Sequence, residues 1–287
     1  MENKNGSKQR TIANAVEMEG IGLHTGFPSR MRLVPAPPGT GIVFRRSDLK
    51  YFAIPALRPY VAKVSYATSL MKQGVLIATV EHVLSAIAAL EIDNLYVEVS
   101  TMEVPIGDGS ARVFVESLES AGILEQDEPR QFLRLLQPVR VASGDKWMEA
   151  VPGEGAQFHY SIEFPHPLIR YQEFSFRAEP ESYKREIAPA RTFGFAEEVQ
   201  AMRQAGLARG GSLENAVVLS KEGVLNPSLR YPDEFVRHKV LDLIGDLSML
   251  GRPLIASIRA HRAGHALHYS LCSQILKNPE CYAVATA

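Results

Sequence analysis

The sequence predicts an α+β fold divided into two domains. The chain has 287 residues, more than one domain usually holds, and this length suits two domains of roughly 130 to 150 residues each. Short runs of β-type residues alternate with turn residues in both halves, and a few segments carry helical spacing. Hydrophobic residues make up 46% and charged residues 22%, which is typical of globular chains with a sizeable core.

Strands and turns dominate residues 10–99, as in MRLVPAPPGTGIVFRR and NLYVEVS. Between these two runs, the segment TVEHVLSAIAALEI repeats its apolar residues with a period near 3.6. This spacing predicts a short helix, with Thr79 as the residue that caps it. A second helix is predicted over residues 111–121.

A linker between the domains is predicted around residues 125–131. This stretch loses apolar periodicity, gains charge and contains Pro129. We therefore expect an N-terminal α+β domain over residues 1–127 and a C-terminal α+β domain over residues 132–287.

The second half repeats the style of the first without repeating its sequence. Strands are predicted in FLRLLQPVRVA, DKWMEAVP and YSIEF, and helices in AEEVQAMRQAG and PDEFVRHKVLDLIGDLSML. In the last of these helices, Pro232 suits the first position and Gly251 suits the end.

Charge and cysteine content exclude some classes of protein. Lys and Arg total 31 against 32 for Asp and Glu, so no net field favours nucleic acid or an anionic membrane surface. Cys272 and Cys281 are too few for a disulfide framework, which favours free thiols in a reducing cytosol. The first residues lack the apolar core of a signal peptide, and no apolar stretch of about 18 residues occurs. We expect a cytoplasmic monomer that neither binds nucleic acid nor inserts stably into a membrane.

Three ionisable residues recur every four positions in the helix predicted over residues 231–253. His238, Asp242 and Asp246 therefore share one stripe, with neighbouring Cβ atoms about 5 to 6 Å apart. Apolar residues flank the stripe, and buried carboxylates are costly unless they are paired, hydrogen-bonded or bound to metal. Taken alone, the pattern also fits a solvated helix face, or aspartates paired with Lys239 and nearby arginines.

A second pair of ionisable residues, Glu81 and His82, lies inside the apolar segment TVEHVLSAIAAL. Adjacent helix positions diverge by about 100°, so His82 can face a metal while Glu81 reaches toward a water molecule on that metal. His82, His238 and Asp242 offer two nitrogens and one oxygen and leave a fourth position open, as a catalytic zinc site requires. Glu81 would then be the general base. No HExxH motif occurs, so spacing alone leaves the metal open.

Motifs along nearly the whole chain closely resemble those of the UDP-3-O-acyl-N-acetylglucosamine deacetylase family. In order, they are GIGLHTG, TVEHVLSAIAAL with IDNLYVEV, EVPIGDGSA, ARTFGF, GLARGGSLENAVV, DEFVRHKVLDLIGDL and HRAGHALH; the tail after Ser273 matches none. The resemblance implies two α+β domains of similar architecture, with their helices sandwiched between two β-sheets and the active site at the domain junction.

The resemblance also implies a role for each central residue. One zinc ion would be held by His82, His238 and Asp242, the same set that the spacing suggests. The general base falls on Glu81, the second catalytic histidine on His265, and the carboxylate that holds its imidazole on Asp246. Without the resemblance, His265 would be interpreted as an exposed turn histidine.

Further site residues follow from the same resemblance. The hydroxyl of Thr192 would help to hold the carbonyl oxygen, and Lys239 would line the polar part of the site; the alternatives are a strand residue and a surface ion pair. Contacts to uridine diphosphate fall on Lys146 and Phe164. The acyl-chain candidates are Phe193, Gly211 and Ser212, with turn and core packing as the alternative. His24 is a site candidate without a settled role, and its alternative is a structural turn histidine.

The function implied is zinc-dependent hydrolysis of the N-acetyl group of UDP-3-O-(3-hydroxyacyl)-N-acetylglucosamine. This reaction releases acetate in the committed step of lipid A biosynthesis in Gram-negative bacteria. Three alternatives remain at this point: a catalytically silent homologue that binds the nucleotide sugar, a zinc amidohydrolase with another substrate, and a metal-storage protein. The intact catalytic set argues against the first, and a narrow or polar acyl passage would indicate the second. Storage would not need Glu81, Thr192 and His265 together.

Overall fold

The computed structural model describes residues 7–286, and this part of the chain contains six α-helices and 19 β-strands. The predicted α+β class is confirmed. Residues 1–6 and 287, which the two predicted domain ranges include, lie outside the described residues.

The first half of the chain contributes ten strands. Their bounds are β1 (Lys8–Ile12), β2 (Val16–Ile21), β3 (Pro28–Pro35), β4 (Ile42–Arg46), β5 (Phe52–Pro55), β6 (Val61–Lys63), β7 (Ser69–Lys72), β8 (Val75–Ala78), β9 (Leu95–Val99) and β10 (Ile123–Pro129). Five of them form a mixed sheet in the order β2-β3-β9-β4-β5, in which β4 and β9 run parallel. β6, β7 and β8 form a small antiparallel sheet.

The second half contributes nine strands. Their bounds are β11 (Gln131–Leu135), β12 (Val139–Ser143), β13 (Lys146–Val151), β14 (Ala156–Phe164), β15 (Arg170–Arg177), β16 (Phe193–Phe195), β17 (Val217–Leu219), β18 (Leu254–His261) and β19 (Tyr282–Thr286). Seven of them form one mixed sheet in which β18 pairs with β11, β13 and β14. β16 and β17 form a separate parallel pair.

Six α-helices occur among the described residues, and they do not all pack in the same place. Their bounds are α1 (Glu81–Ala89), α2 (Arg112–Ser120), α3 (Pro180–Glu186), α4 (Ala196–Gln204), α5 (Glu234–Leu247) and α6 (His265–Lys277). α2 packs on β2 of the first sheet, α5 on β14 and β15 of the second, and α6 on β12 and β13. α1 contacts both α2 and α5, and α5 contacts α6, so these four helices form a layer between the two large sheets. No helix within residues 7–286 is long and apolar enough to cross a bilayer.

The crossing of α1 and α5 is close because a glycine lies at its centre. A Cβ atom on Gly245 would lie 2.0 Å from the backbone oxygen of Glu81 and 2.8 Å from its carbonyl carbon. Real Cβ contacts are never so short, so only glycine permits the two backbones to approach this far. The crossing brings the first turn of α1 against the last turns of α5.

Several local predictions were wrong or inexact. The segment predicted as a linker is not irregular, because β10 occupies residues 123–129 and pairs with β1. Most of its side chains are exposed, which explains why apolar periodicity is missing. Thr79 does not cap α1: its φ is +58°, and its hydroxyl donates to the buried carboxylate of Glu103 instead.

The predicted helix bounds hold within a few residues elsewhere. α5 begins at Glu234, two positions after the proline expected to start it, and after a short 3₁₀ turn the chain reverses at Gly251 with φ +80°. α2 and α4 lie where their spacing placed them. α3 and α6 have no counterpart among the sequence predictions. The domain division at residues 127 and 132 stays a prediction.

Candidate active site

Three helices deliver six ionisable side chains to one buried cluster. α1 supplies two, α5 supplies three and α6 supplies one, and each is at most 9% exposed: Glu81 and His82; His238, Asp242 and Asp246; His265. The stripe predicted on α5 is therefore buried, and the solvated-face alternative is wrong. α1 is buried over its first two turns, so its two polar residues are enclosed by the protein.

Two imidazoles and one carboxylate converge at the crossing of α1 and α5. The Nε2 atom of His238 lies 3.3 Å from Oδ1 of Asp242, and Nε2 of His82 lies 3.7 Å from the same oxygen. The two imidazole rings meet edge to face with centroids 4.9 Å apart. These three side chains form a group that could hold a metal ion.

The protonation of this trio fits a metal site. Nδ1 of His238 donates to the backbone oxygen of Ala190 at 3.0 Å, so its Nε2 presents a lone pair to the group. Burial lowers the pKa of His238, and it lowers that of His82 to about 3, so both imidazoles are neutral at pH 7. Burial alone would raise the pKa of Asp242, but Lys239 and the histidines lower it, so the carboxylate is ionised.

The spacing of the trio also suits a metal. Two ligand atoms about 2.0 to 2.1 Å from a tetrahedral ion lie roughly 3.3 Å from each other. The separations of 3.3 and 3.7 Å are close to that value, and the 3.7 Å separation between His82 and Asp242 is too long for a hydrogen bond. Nδ1 of His82 is buried and has no hydrogen-bond partner among the described residues, and Nε2 is 3.7 Å from Asp242, so no hydrogen bond to a described residue orients that ring. The donor set therefore fits a divalent ion.

Glu81 precedes His82 in α1 and lies beside the trio. Its Oε2 atom accepts the backbone N–H of Thr68 at 3.0 Å, and its Oε1 atom lies 4.0 Å from Nε2 of His265. Burial raises the pKa of Glu81 to about 8. The carboxylate and the imidazole face each other across a gap that neither bridges with a hydrogen bond.

His265 is the first residue of α6 and is not an exposed turn histidine. Its Nδ1 atom lies 2.6 Å from Oδ2 of Asp246. Burial by itself would lower the pKa of His265, but the carboxylate of Asp246 raises it to about 9. The imidazole is therefore positively charged at pH 7, and its Nε2 atom points toward Glu81 and Asp242.

A buried ion pair fixes the loop that carries Thr192. Glu234 at the start of α5 is fully buried and accepts three hydrogen bonds from Arg191 and one from the backbone of Arg230. This holds the carbonyl of Ala190 against His238 and places Thr192 two residues farther along, half-buried. Lys239 donates to Oδ2 of Asp242 at 2.5 Å. The ion pair between an aspartate and Lys239 that the sequence allowed is therefore present, but it lies inside the cluster and not on the helix surface.

Two of the predicted substrate residues belong to one aromatic cluster. The ring of Phe193 lies 6.5 Å from the ring of His238, 5.1 Å from Phe235 and 5.9 Å from Phe164. Phe164 lines a shallow cavity of about 660 Å³ together with residues of the turn between β14 and β15 and with Arg262, which follows β18. An apolar wall therefore begins directly beside the trio.

Lys146 lies farther out, exposed at the first position of β13. The neighbouring Asp145 pairs with Arg262 at 2.7 Å, and Arg262 also lies 3.4 Å from Glu163, next to Phe164. Lys146 and Phe164 therefore lie at the same end of the second sheet, where β13 and β14 flank β18, and Arg262 follows β18 at that end.

The remaining predicted residues meet at a contact between two loops. The backbone N–H of Arg209 donates to the carbonyl of His24 at 3.1 Å, and the backbone N–H of His24 donates to Glu103 at 2.8 Å. Gly211 and Ser212 follow in the same loop, with Gly211 next to Leu23. The structure thus brings His24 to the loop that carries the two acyl-chain candidates.

Sequence reasoning missed five buried polar residues that support the site. They are Thr68, Glu103, Arg191, Glu234 and His268. The local sequence around these residues gives little indication of their role, because their contacts are with residues distant in sequence. Only His268 was detectable, since it follows His265 by three positions in GHALH and so shares its helix face.

A buried cluster able to bind a metal ion, with a carboxylate and a charged imidazole beside it, is the arrangement that metal-dependent hydrolases use. The comparisons narrow this class. Residues 9–277 match the LpxC family model, described as UDP-3-O-acyl N-acetylglycosamine deacetylase. The chain belongs to this family.

Two similar proteins carry the same description. A UDP-3-O-acyl-N-acetylglucosamine deacetylase of Myxococcus xanthus is 46% identical over 281 residues, which cover 97% of this chain and 90% of that protein. A UDP-3-O-acyl-N-acetylglucosamine deacetylase of Solibacter usitatus is 47% identical over 279 residues, which cover 97% and 94% respectively. The similarity therefore extends over almost the whole length of these proteins.

Proposed function

We propose that the protein hydrolyses the N-acetyl group of UDP-3-O-(3-hydroxyacyl)-N-acetylglucosamine with one zinc ion and releases acetate. The observation that carries the proposal is the buried trio of two neutral imidazoles and one carboxylate, with Glu81 and charged His265 beside it. Membership of the deacetylase family supports the substrate, and the product would enter lipid A biosynthesis in the cytoplasm of a Gram-negative bacterium. We expect the protein to act as a monomer.

Zinc held by His82, His238 and Asp242 would polarise the amide carbonyl and lower the pKa of a water molecule to about 7. Glu81 would accept the proton of the attacking water at Oε1. This is the carboxylate oxygen that faces the gap, since Oε2 is occupied by the N–H of Thr68. A buried carboxylate with a raised pKa is a stronger base than an exposed one, which suits this step.

His265 would supply the positive charge that stabilises the reacting substrate and the proton that the departing amine receives. Its Nδ1–H is held by Asp246, so its Nε2–H is directed into the gap, where the amine departs. The imidazolium would stabilise the negative charge that develops on the substrate and protonate the amine at Nε2. The hydroxyl of Thr192 would donate to the carbonyl oxygen, and Lys239 would act through its pair with Asp242.

The rest of the substrate would extend in two directions from this centre. Uridine diphosphate would bind at the end of the second sheet, against Phe164 and Lys146, where Arg262 adds a further cation. The acyl chain would run along Phe193 toward Gly211 and Ser212, and His24 would lie at the contact with that loop.

The test is amine release from the acylated UDP-N-acetylglucosamine, measured before chelation, after chelation and after zinc is added back. We expect activity to disappear with the chelator and to return with zinc, and the same sugar nucleotide without its acyl chain to react poorly. No turnover by the zinc-loaded protein would indicate a catalytically silent homologue. Equal rates with and without the acyl chain would indicate an amidohydrolase with another substrate.

A further inference from the structure

A second imidazole, His268, contacts the same carboxylate oxygen as His265. His268 is fully buried and lies three residues farther along α6, on the same helix face. Its Nδ1 atom lies 2.7 Å from Oδ2 of Asp246, while Nδ1 of His265 lies 2.6 Å from that oxygen. The other oxygen of Asp246 accepts the hydroxyl of Thr68 at 2.7 Å.

The hydrogen bonds assign the protons of this cluster. Burial alone would raise the pKa of Asp246, but the two histidines hold it well below its usual range, so the carboxylate is ionised and only accepts. Both Nδ1 atoms must therefore carry hydrogen. Asp246, His265 and His268 also meet the spacing of a metal-binding group, but contacts of 2.6 and 2.7 Å are hydrogen bonds, which account for all three without an ion.

The far side of His268 is also held by the protein. Its Nε2 atom lies 3.2 Å from the hydroxyl of Tyr160, which donates to the carbonyl of Ala263 at 2.9 Å. Tyr160 is completely buried in the core of the second sheet. Burial lowers the pKa of His268, so the ring is neutral and its one N–H, at Nδ1, makes the hydrogen bond that orients it, while Nε2 contacts Tyr160 without a hydrogen of its own. Ala263 lies two residues before His265 in the segment that precedes α6.

We propose that His268 is a positioning residue for His265, acting through the carboxylate of Asp246. This inference rests on the proposed function and deepens it. With His268 and Thr68 in place, each oxygen of Asp246 has a donor besides His265, so the carboxylate cannot rotate away from the catalytic ring. The added donors also make the carboxylate less basic, which keeps the shared proton on Nδ1 of His265 and directs Nε2–H into the gap.

The experiment compares two isosteric variants, His268→Asn and His268→Leu. Asparagine and leucine have the same number of side-chain heavy atoms, and both lose the outer half of the ring beside Tyr160. Only asparagine keeps an N–H donor on Cγ, where histidine carries Nδ1. Any difference between the two variants therefore reports the hydrogen bond to Asp246 and not the loss of packing.

We expect His268→Leu to lower kcat about tenfold with KM within about twofold, and His268→Asn to stay within about threefold of the wild type. Bound zinc should be unchanged in both variants. In ¹⁵N-detected spectra, Nδ1 of both histidines should carry a proton in the wild type, and the His265 proton should exchange faster in His268→Leu only.

Equal kcat values for the two variants, or a loss confined to KM, would overturn the proposal. An unprotonated Nδ1 on wild-type His268 would also overturn it, and this spectrum decides even if His268→Leu does not fold. A wild-type protein that shows the expected spectra but no deacetylation would instead refute the proposed function, since the spectra do not depend on turnover.

Discussion

Burial and neighbouring charge set opposite protonation states on residues only a few ångströms apart. Burial raises the pKa of Glu81 to about 8 and lowers that of His82 to about 3. His265 is also buried, yet the carboxylate of Asp246 raises its pKa to about 9. One cluster thus contains neutral imidazoles suited to bind metal and a charged imidazole suited to donate a proton.

These states predict a bell-shaped dependence of kcat/KM on pH. Activity should fall as pH drops through the pKa of Glu81, because the base becomes protonated, and fall as pH rises through that of His265, because the acid loses its proton. Bound zinc favours the carboxylate and disfavours the imidazolium, so both limbs should lie below the values of about 8 and 9. The limbs belong to the coupled cluster and not to single residues.

Two variants check the assignment of the alkaline limb. His265→Ala should lower turnover about 100-fold or more, and Asp246→Asn should move the alkaline limb toward lower pH, because a neutral amide no longer stabilises the imidazolium. An unchanged alkaline limb in both variants would assign that transition to the metal-bound water or the substrate.

The central residues could be predicted from sequence because their spacing is local. His238, Asp242 and Asp246 share a helix stripe, and Glu81 and His82 are out of place in an apolar helix. Their supporting partners could not be predicted in the same way. Glu103 reaches Thr79 and His24 from a different loop, and nothing in the local sequence around it indicates burial.

At the scale of elements, Gly245 sets the distance between α1 and α5. We expect Gly245→Ala to destabilise the protein by about 1 to 3 kcal/mol or more, because the new methyl group would collide with the backbone of Glu81. It should also weaken zinc binding, since His82 would move away from α5. Thermal unfolding and metal content provide the measurement.

The matched control is Gly223→Ala, where a Cβ would meet no atom within 4 Å. This variant should unfold at the wild-type temperature and keep its zinc. If Gly245→Ala behaved like this control, the close crossing would not be what positions the site.

The buried pair of Glu234 and Arg191 ties the start of α5 to the loop before Phe193. Glu234→Gln should cost about 3 kcal/mol, because the Arg191 cation would remain buried without a partner. The exposed pair of Glu197 and Lys221 offers the control, and Glu197→Gln should change stability very little. Denaturant unfolding compares them, and an equal effect of both changes would show that the buried pair does not fix this loop.

Helices with strong periodicity were predictable and those without it were not. α5 and α1 carry apolar residues at helical spacing, so their positions were correct within a few residues. The buried face of α6 includes His265 and His268. Because these residues are polar, the sequence of this face looks like that of an exposed helix surface and does not indicate burial. The N-terminus of α1 was misassigned because the hydroxyl of Thr79 bonds to Glu103, a tertiary contact that overrides local capping.

At the scale of the whole molecule, the site lies where helices from the two halves of the chain meet. The α+β class was predictable from alternating strand and helix patterns, but the sheet order depends on pairings between distant residues, such as β4 with β9. Residues 125–131 were predicted to be a linker because most of them belong to β10, an exposed strand with few apolar side chains and no alternating pattern.

The aromatic wall beside the trio predicts how inhibitors should behave. A hydroxamate with a long apolar tail should bind far more tightly than acetohydroxamate, because the chelating group would occupy the metal site while the tail runs along Phe193 toward Gly211. Inhibition constants for the two compounds test this expectation. Equal potency would remove the case for an acyl passage along this wall.

The most direct test of the central claim measures bound zinc and acetate release together in Glu81→Ala and His238→Ala. The account predicts that Glu81→Ala retains one zinc ion per chain but loses activity by about 100-fold or more, because Glu81 moves a proton and is not a ligand. His238→Ala should lose both zinc and activity. Loss of zinc from Glu81→Ala, or wild-type zinc content and activity in His238→Ala, would contradict the account.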